Sequence, residues 1–194
     1  MGYVSIAKMA EKLSTESVLV SFPTDTVPAL ATRPESADLI YQAKQRSHTK
    51  PLILMGASFA DLRPYIAGDA ESLKTWEELT AQHWPGQLTL VLPASDRTPS
   101  ALNPTGSGTI GIRVPNHPIA LDLLARTGPL ATTSANVSGQ PALTNPANIA
   151  RTFPAALVLP AEAFSTQPNS GTPSTVVKWT GADWQVLRQG QIKL

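Results

Sequence analysis

The chain has no cysteine, which removes disulfide scaffolding, a thiol nucleophile and every cysteine-ligated zinc or iron–sulfur centre. Histidine is nearly as scarce. His48, His83 and His117 are scattered without metal-ligand spacing, so no metal-ligating residue is assigned. No apolar run approaches the roughly 20 residues a membrane span needs, and the N-terminus carries neither a basic lead nor a signal-like apolar core. The expectation is a cytoplasmic protein with no membrane partner. Charge is low and balanced: the formal net charge is +1, too little to announce a nucleic-acid surface by itself. With 42% of its 194 residues apolar, the chain can bury a continuous core, and one domain over residues 1–194 is expected.

Several enzyme signatures are missing as well. There is no Walker A sequence and no G-x-S-x-G elbow, which leaves P-loop chemistry and an α/β-hydrolase without support. Gly106-Ser-Gly-Thr-Ile-Gly111 fits G-x-G-x-x-G but leads into a strand, whereas a dinucleotide fingerprint follows a strand and opens a helix. Carboxylates such as Asp25 and Asp122 show no paired spacing, so a two-carboxylate mechanism is not indicated.

What is present alternates between strand and helix patterns. Ile6, Met9, Ala10 and Leu13 recur at helical spacing, and Val18–Phe22 reads as a buried strand ended by Pro23. Pro34–Gln45 reads as a helix and Leu52–Met55 as a strand, which suggests a βαβ unit. Asp69 suits the cap of a helix reaching His83, and Leu88, Leu90 and Leu92 mark one face of a strand. Asp96–Gly108 reads as an exposed loop. Pro118 suits the first turn of a helix, Asn145-Pro146 caps another, and Ala156–Leu159 is a strand. Ser174–Trp179 and Trp184–Arg188 flank Thr-Gly-Ala-Asp as a hairpin. The pattern predicts an α/β fold with a twisted open sheet whose strand ends surround a cationic cavity.

Three stretches gather chemistry. Leu130–Pro141 runs from a short apolar strand into Thr132, Thr133, Ser134, Asn136 and Ser138, and Ser134 and Asn136 share a side while the backbone stays extended. In Thr109–Val114, alternation sends Ile110, Ile112 and Val114 to the core and leaves Thr109, Gly111 and Arg113 together on the other face. Lys44, Arg46, His48 and Lys50 crowd a helix end, either compensating its dipole or clamping phosphates.

These stretches also carry a resemblance. Pro23-Thr-Asp-Thr-Val27, Lys44-x-Arg46 with Pro51-Leu52, Trp84-Pro-Gly86 with Leu88-Thr89, Arg113-Val-Pro115 with His117-Pro118, Ser134-Ala-Asn136 with Ser138-Gly139, Ser174-Thr-Val-Val177 and Arg188-x-Gly190 stand in the order and spacing of the YrdC/Sua5 family. The resemblance covers residues 4 to 192 and implies the YrdC/RibB type of α/β fold. It is similar to the short, single-domain form, without the added C-terminal domain of longer Sua5 proteins. Family members of that form are threonylcarbamoyl-AMP synthases, which join L-threonine, bicarbonate and ATP, with Mg²⁺ accompanying ATP, on the way to the t6A modification of tRNA.

By matching positions, the resemblance implies that Lys44, Arg46 and Arg188 bind the ATP phosphates, the first two acting in catalysis, while Thr109, Ser134 and Asn136 hold the nucleotide. It likewise implies that Thr24, Arg113, Thr132 and Ser174 hold threonine, with Arg113 on its carboxylate. Implied partners are tRNA or double-stranded RNA and the downstream threonylcarbamoyl transferase proteins. Two competing readings are an RNA-binding module without synthase activity and a carbamoyl-adenylate transfer domain as in hydrogenase maturation. The chain departs from the family pattern at Pro28-Ala29, where Tyr-Gly is usual, and at Gln87 and Gln189, where proline is common.

Overall fold

The computed structural model describes residues 3–194. Among the described residues nine strands form one open, twisted mixed sheet in the order β7-β1-β2-β6-β3-β5-β4-β8-β9. They are β1 (Leu19–Phe22), β2 (Ala29–Thr32), β3 (Ile53–Met55), β4 (Leu88–Pro93), β5 (Thr109–Arg113), β6 (Leu130–Ser134), β7 (Ala156–Val158), β8 (Thr175–Trp179) and β9 (Trp184–Arg188). In the same residues seven α-helices accompany them: α1 (Ile6–Thr15), α2 (Asp38–Lys44), α3 (Phe59–Leu62), α4 (Ala70–His83), α5 (Pro118–Thr127), α6 (Pro146–Thr152) and α7 (Ala161–Ser165).

The expected βαβ unit is not formed. β2 intervenes: it pairs antiparallel with β1 on one side and with β6 on the other. β3 pairs antiparallel with β6 and parallel with β5, so β1 and β3 run in opposite directions with two strands between them. The helix expected over Pro34–Gln45 is also shorter, because Pro34–Ser36 is a 3₁₀ turn and α2 starts at Asp38. The loop from Asp96 to Gly108 is not wholly exposed, since Leu102 and Asn103 are buried within it.

Strand alternation divides the core between the two sheet faces. Leu19, Leu30, Leu54, Ile110, Ile112 and Ala131 pack on one face with Tyr41 of α2 and Trp76 of α4. Val20, Phe22, Ala29, Ala31, Met55 and Leu130 turn to the other, where Met9 and Leu13 of α1 and Leu123 and Leu124 of α5 cover them. That second cover is incomplete. Beyond the α1–α5 pair, the same face carries Thr132, Ser134 and Arg113, and this uncovered stretch is where a cavity forms.

Candidate active site

The cavity encloses about 640 Å³ of space, including its open mouth, and is lined by residues from Thr26 to Arg188. Its charged lining residues are Arg46, Arg113 and Arg188. Thr132, Ser134 and Ser174 also line it, so six of the expected site residues, drawn from distant parts of the chain, meet around one space.

The register gives the cavity two ends. Met55 pairs with Arg113 on one side and Leu130 on the other, and Ile53 likewise joins Gly111 to Thr132. Arg113 therefore lies one two-residue step from the Thr132 row, and Ser134 lies one step away in the opposite sense. At roughly 3.3 Å per residue the two ends are about 13 Å apart along the strands.

At the first end Arg113 is almost fully enclosed, with 3% of its surface exposed. Its guanidinium is held on three sides: Nε donates to the Gly86 carbonyl at 3.0 Å, Nη1 to Thr26 Oγ1 at 2.9 Å and Nη2 to Asp25 Oδ1 at 2.7 Å. A guanidinium has five N–H groups, so one on each terminal nitrogen is left for a ligand. Burial disfavours its charge and Asp25 counters that, the pKa lying below the ordinary value. Asp25 is thus no lone carboxylate but half of a buried ion pair. Arg188 stands close enough for its charge to act on Arg113. It donates through Nε to the Ser174 carbonyl at 3.0 Å and through Nη2 to Ser174 Oγ at 3.1 Å. Ser174 Oγ also shares a 2.8 Å hydrogen bond with Thr89 Oγ1.

At the second end the chain leaves α2 through Gln45, whose φ of 50° is left-handed. That conformation is disfavoured for a residue with a Cβ, and it separates the two cations on either side of it. Lys44 turns inward, 1% exposed, and donates from Nζ to the Ser134 carbonyl and, at 3.2 Å, to Asn136 Oδ1. Ser134 Oγ donates to the same Asn136 oxygen, and Asn136 Nδ2 holds the loop through the Val137 and Gln140 carbonyls at 2.9 and 2.7 Å. Arg46 turns toward the cavity, anchored by Nε on the Lys50 carbonyl at 3.0 Å and by Nη2 on the Pro51 carbonyl at 2.9 Å. Burial, and then the neighbouring Arg46, push Lys44 down to about 7.

The other expected residues sit off the lining. Thr24 is buried beneath it, its hydroxyl donating to the Val27 carbonyl at 2.7 Å and meeting Thr26 Oγ1 at 3.0 Å; of these two threonines it is Thr26 that lines the cavity. Lys44 and Asn136 stand directly behind Ser134. Thr109 shares the face of Arg113 but lies at the far end of β5, hydrogen-bonded to Ser107 Oγ at 2.9 Å. Two residues before Gly111, it is level with Ser134 rather than with Arg113. Of the basic cluster, His48 stacks on Tyr41 with ring centroids 4.3 Å apart, and Lys50 is exposed.

A family model named Sua5_yciO_yrdC and described as "Telomere recombination" matches residues 12–190. The chain belongs to this Sua5/YciO/YrdC family. It is 39% identical over 148 residues to a threonylcarbamoyl-AMP synthase of Bacillus subtilis, covering 73% of this chain and 41% of that protein. It is 35% identical over 191 residues to the threonylcarbamoyl-AMP synthase of Pyrococcus abyssi, covering 96% of this chain and 54% of the other. The solved structure of P. abyssi Sua5 complexed with L-threonine superposes with a TM-score of 0.83 at 32% identity, over 97% of this chain and 56% of that one. The chain therefore spans about half the length of these relatives.

Its departures from the family pattern each find a place in the structure. Pro28 precedes β2, its carbonyl accepting from the Ala135 amide at 2.9 Å, and Ala29 lines the cavity opposite Ser134. Gln87 donates to the Asp25 carbonyl at 3.1 Å, and Gln189 to the Gly190 and Ile192 carbonyls at 2.9 and 2.7 Å. Proline could make neither contact, so here side-chain amides fix the two segments that a pyrrolidine ring would otherwise stiffen. Among the described residues no helix is long and apolar enough to cross a membrane.

Proposed function

We propose that this chain is an L-threonylcarbamoyladenylate synthase, making threonylcarbamoyl-AMP and pyrophosphate from L-threonine, bicarbonate and ATP. The observation that carries this reading is the two-ended cavity: a fork of guanidinium N–H groups at Arg113 faces, across a polar floor, a second cationic end built by Arg46 and the Lys44–Ser134–Asn136 cluster. The names of the relatives and the L-threonine bound by P. abyssi Sua5 support it.

In this reading the carboxylate of threonine takes the two free N–H groups of Arg113, and Thr132 and Ser174 close around it. The threonine amine attacks the bicarbonate carbon and water leaves, giving a carbamate with release of the ammonium proton. A carbamate oxygen then attacks the α-phosphorus of ATP, the bond from that phosphorus to the bridging oxygen breaks, and pyrophosphate departs. The reaction joins three substrates and moves charge across a phosphoryl group, so it asks for positioning and for fixed positive charge rather than for a nucleophilic dyad. Arg46, Arg188 and Lys44 supply that charge, and Ser134, Asn136 and Thr109 hold the nucleotide. Mg²⁺ enters with ATP. The residues fit a cation carried by the phosphates: no group of three or more His, Asp or Glu side chains is gathered among the described residues, and Asp25 is engaged by Arg113. The product is an activated carbamoyl adenylate, to be consumed by a threonylcarbamoyl transferase acting on tRNA.

Two measurements follow. Pyrophosphate release from ATP is expected only with L-threonine and bicarbonate both present; release independent of threonine would contradict the reading. The second concerns Lys44, whose folded pKa of about 7 lies below its ordinary 10.5. Between those values the unfolded chain binds more protons than the folded one, so this residue makes stability rise with pH from about 7 to 10.5. A phosphate beside Lys44 favours its charged form, so ATP binding at about pH 8 takes up a proton. Calorimetry in buffers of different ionisation enthalpy should find that uptake in the wild type and not in Lys44→Met. Equal proton balances would remove Lys44 from the phosphate site.

A further inference from the structure

His117 stands at the entry of α5, wholly enclosed at 0% exposure, and neither of its ring nitrogens has a hydrogen-bond partner. It does not cap its helix. Burying a polar ring without partners is costly, so its environment must offer something to bond. Two further buried atoms in the same region lack partners, Asp25 Oδ2 and Gln87 Oε1. Gln87 donates from its side-chain amide to the main-chain carbonyl of Asp25, and burial pushes the His117 ring below its ordinary pKa while the charge of Asp25 opposes that shift. Backbone geometry brings these segments together: the Gly86 amide donates to the Val114 carbonyl at 2.9 Å, and Asp25, Gln87 and Asn116, the residue before His117, line one recess, so the orphaned atoms share a neighbourhood and are complementary. Asp25 Oδ2 and Gln87 Oε1 can only accept, whereas a neutral imidazole brings one N–H donor.

We propose that His117 is a positioning residue: its ring N–H serves Asp25 Oδ2, directly once the ring turns or through one enclosed water, and so fixes the carboxylate that aims Arg113 into the cavity. The chain of contacts is short. Asp25 Oδ1 accepts from Arg113 Nη2 at 2.7 Å, and Thr26, the next residue, accepts from Nη1 at 2.9 Å. A carboxylate held on one oxygen alone can swing about its Cβ–Cγ bond; one held on both cannot. The guanidinium then keeps its remaining N–H groups on the cavity side, as metal-bound histidines are kept in place by the groups behind them. The charged groups in this chain of contacts are Asp25, on the segment between β1 and β2, and Arg113 of β5 behind it. The inference deepens the synthase reading, resting on Arg113 as the receiver of the threonine carboxylate.

Substrate dependence and spectroscopy test it together. In His117→Leu the KM for L-threonine should rise about tenfold, the size of one lost buried hydrogen bond, while the KM for ATP stays within about twofold and kcat changes little. In His117→Gln, whose amide N–H can replace the ring donor, the threonine KM should return most of the way. L-Threonine binding to the wild type and both variants, followed by calorimetry without ATP, should show the same order. A merely structural histidine would lower the melting temperature and the active fraction without separating the two substrates, and that result overturns the proposal. Should His117→Leu fail to fold, ¹⁵N spectra of the wild-type imidazole decide: a hydrogen-bonded N–H is expected, and Asp25→Asn should lower the pH at which the ring titrates. An imidazole indifferent to Asp25→Asn excludes the contact. If the wild type makes no pyrophosphate, the synthase reading falls on its own, and the Asp25–His117 contact is still judged by the spectra.

Discussion

Replacing Arg113 by lysine raises the L-threonine requirement about a hundredfold and leaves the ATP requirement within about threefold, a difference of roughly 2–3 kcal/mol at one end of the cavity. Lysine keeps a positive charge near Asp25 but loses the planar fork: an ammonium cannot serve the Gly86 carbonyl, Thr26, Asp25 and a substrate carboxylate together. Alanine is the harsher change. It leaves Asp25 as an unpaired carboxylate, 5% exposed, and breaking such a buried pair costs about 3–5 kcal/mol of stability. Arg113→Ala combined with Asp25→Asn removes both charges, so it should fold better than Arg113→Ala alone and still bind threonine poorly. Initial rates against each substrate, with melting temperatures for every variant, check the prediction. Equal effects on threonine and ATP would take Arg113 out of the threonine subsite.

Removing Lys44 and Arg46 together abolishes threonine- and bicarbonate-dependent pyrophosphate release, with a loss of about a thousandfold or more expected when fixed charges at a phosphoryl centre are deleted. The same double variant separates synthase from RNA-binding module. Lys44 is enclosed and bonded to the β6 loop, so it has no route to the backbone of a duplex, and Arg46 alone would contribute about one phosphate contact. An RNA contact releases condensed counterions, so any RNA affinity falls linearly with salt in log–log terms, and losing one contact should flatten that slope by about one at most. A double variant that keeps pyrophosphate release but no longer binds RNA would transfer this cluster to the other reading.

Local pattern made much of the frame legible, and pairing supplied what it could not. The face shared by Thr109, Gly111 and Arg113 follows from strand alternation and is present in β5. The caps at Asp69 and Asn145 form as their side chains dictate, accepting from the Ser72 and Ala147 amides at 2.8 Å each. β2 escaped because Pro28 precedes it and two of its four residues are alanine, a weak strand signal that becomes a strand only by pairing with β1 and β6. Without β2, the neighbouring segments resembled a βαβ unit. Asp25 looked isolated because its partner lies 88 residues further along; no local pattern encodes such a pair. The choice between Thr24 and Thr26 depends on how a buried turn presents its side chains, and the sequence spacing of two is the same for either. The division of the cavity into two ends rests on the register of β3 with β5 and β6, a tertiary fact.

In the proposed reaction one cavity joins the carbon of bicarbonate to threonine and then to AMP. Mass spectrometry of the nucleotide product formed with ¹³C-bicarbonate, L-threonine and ATP tests it most directly. A threonine-containing adenylate carrying one ¹³C is expected, lost when threonine is omitted and strongly reduced in Arg113→Lys; an unlabelled adenylate, or AMP and pyrophosphate formed without any threonine adduct, would overturn the synthase reading.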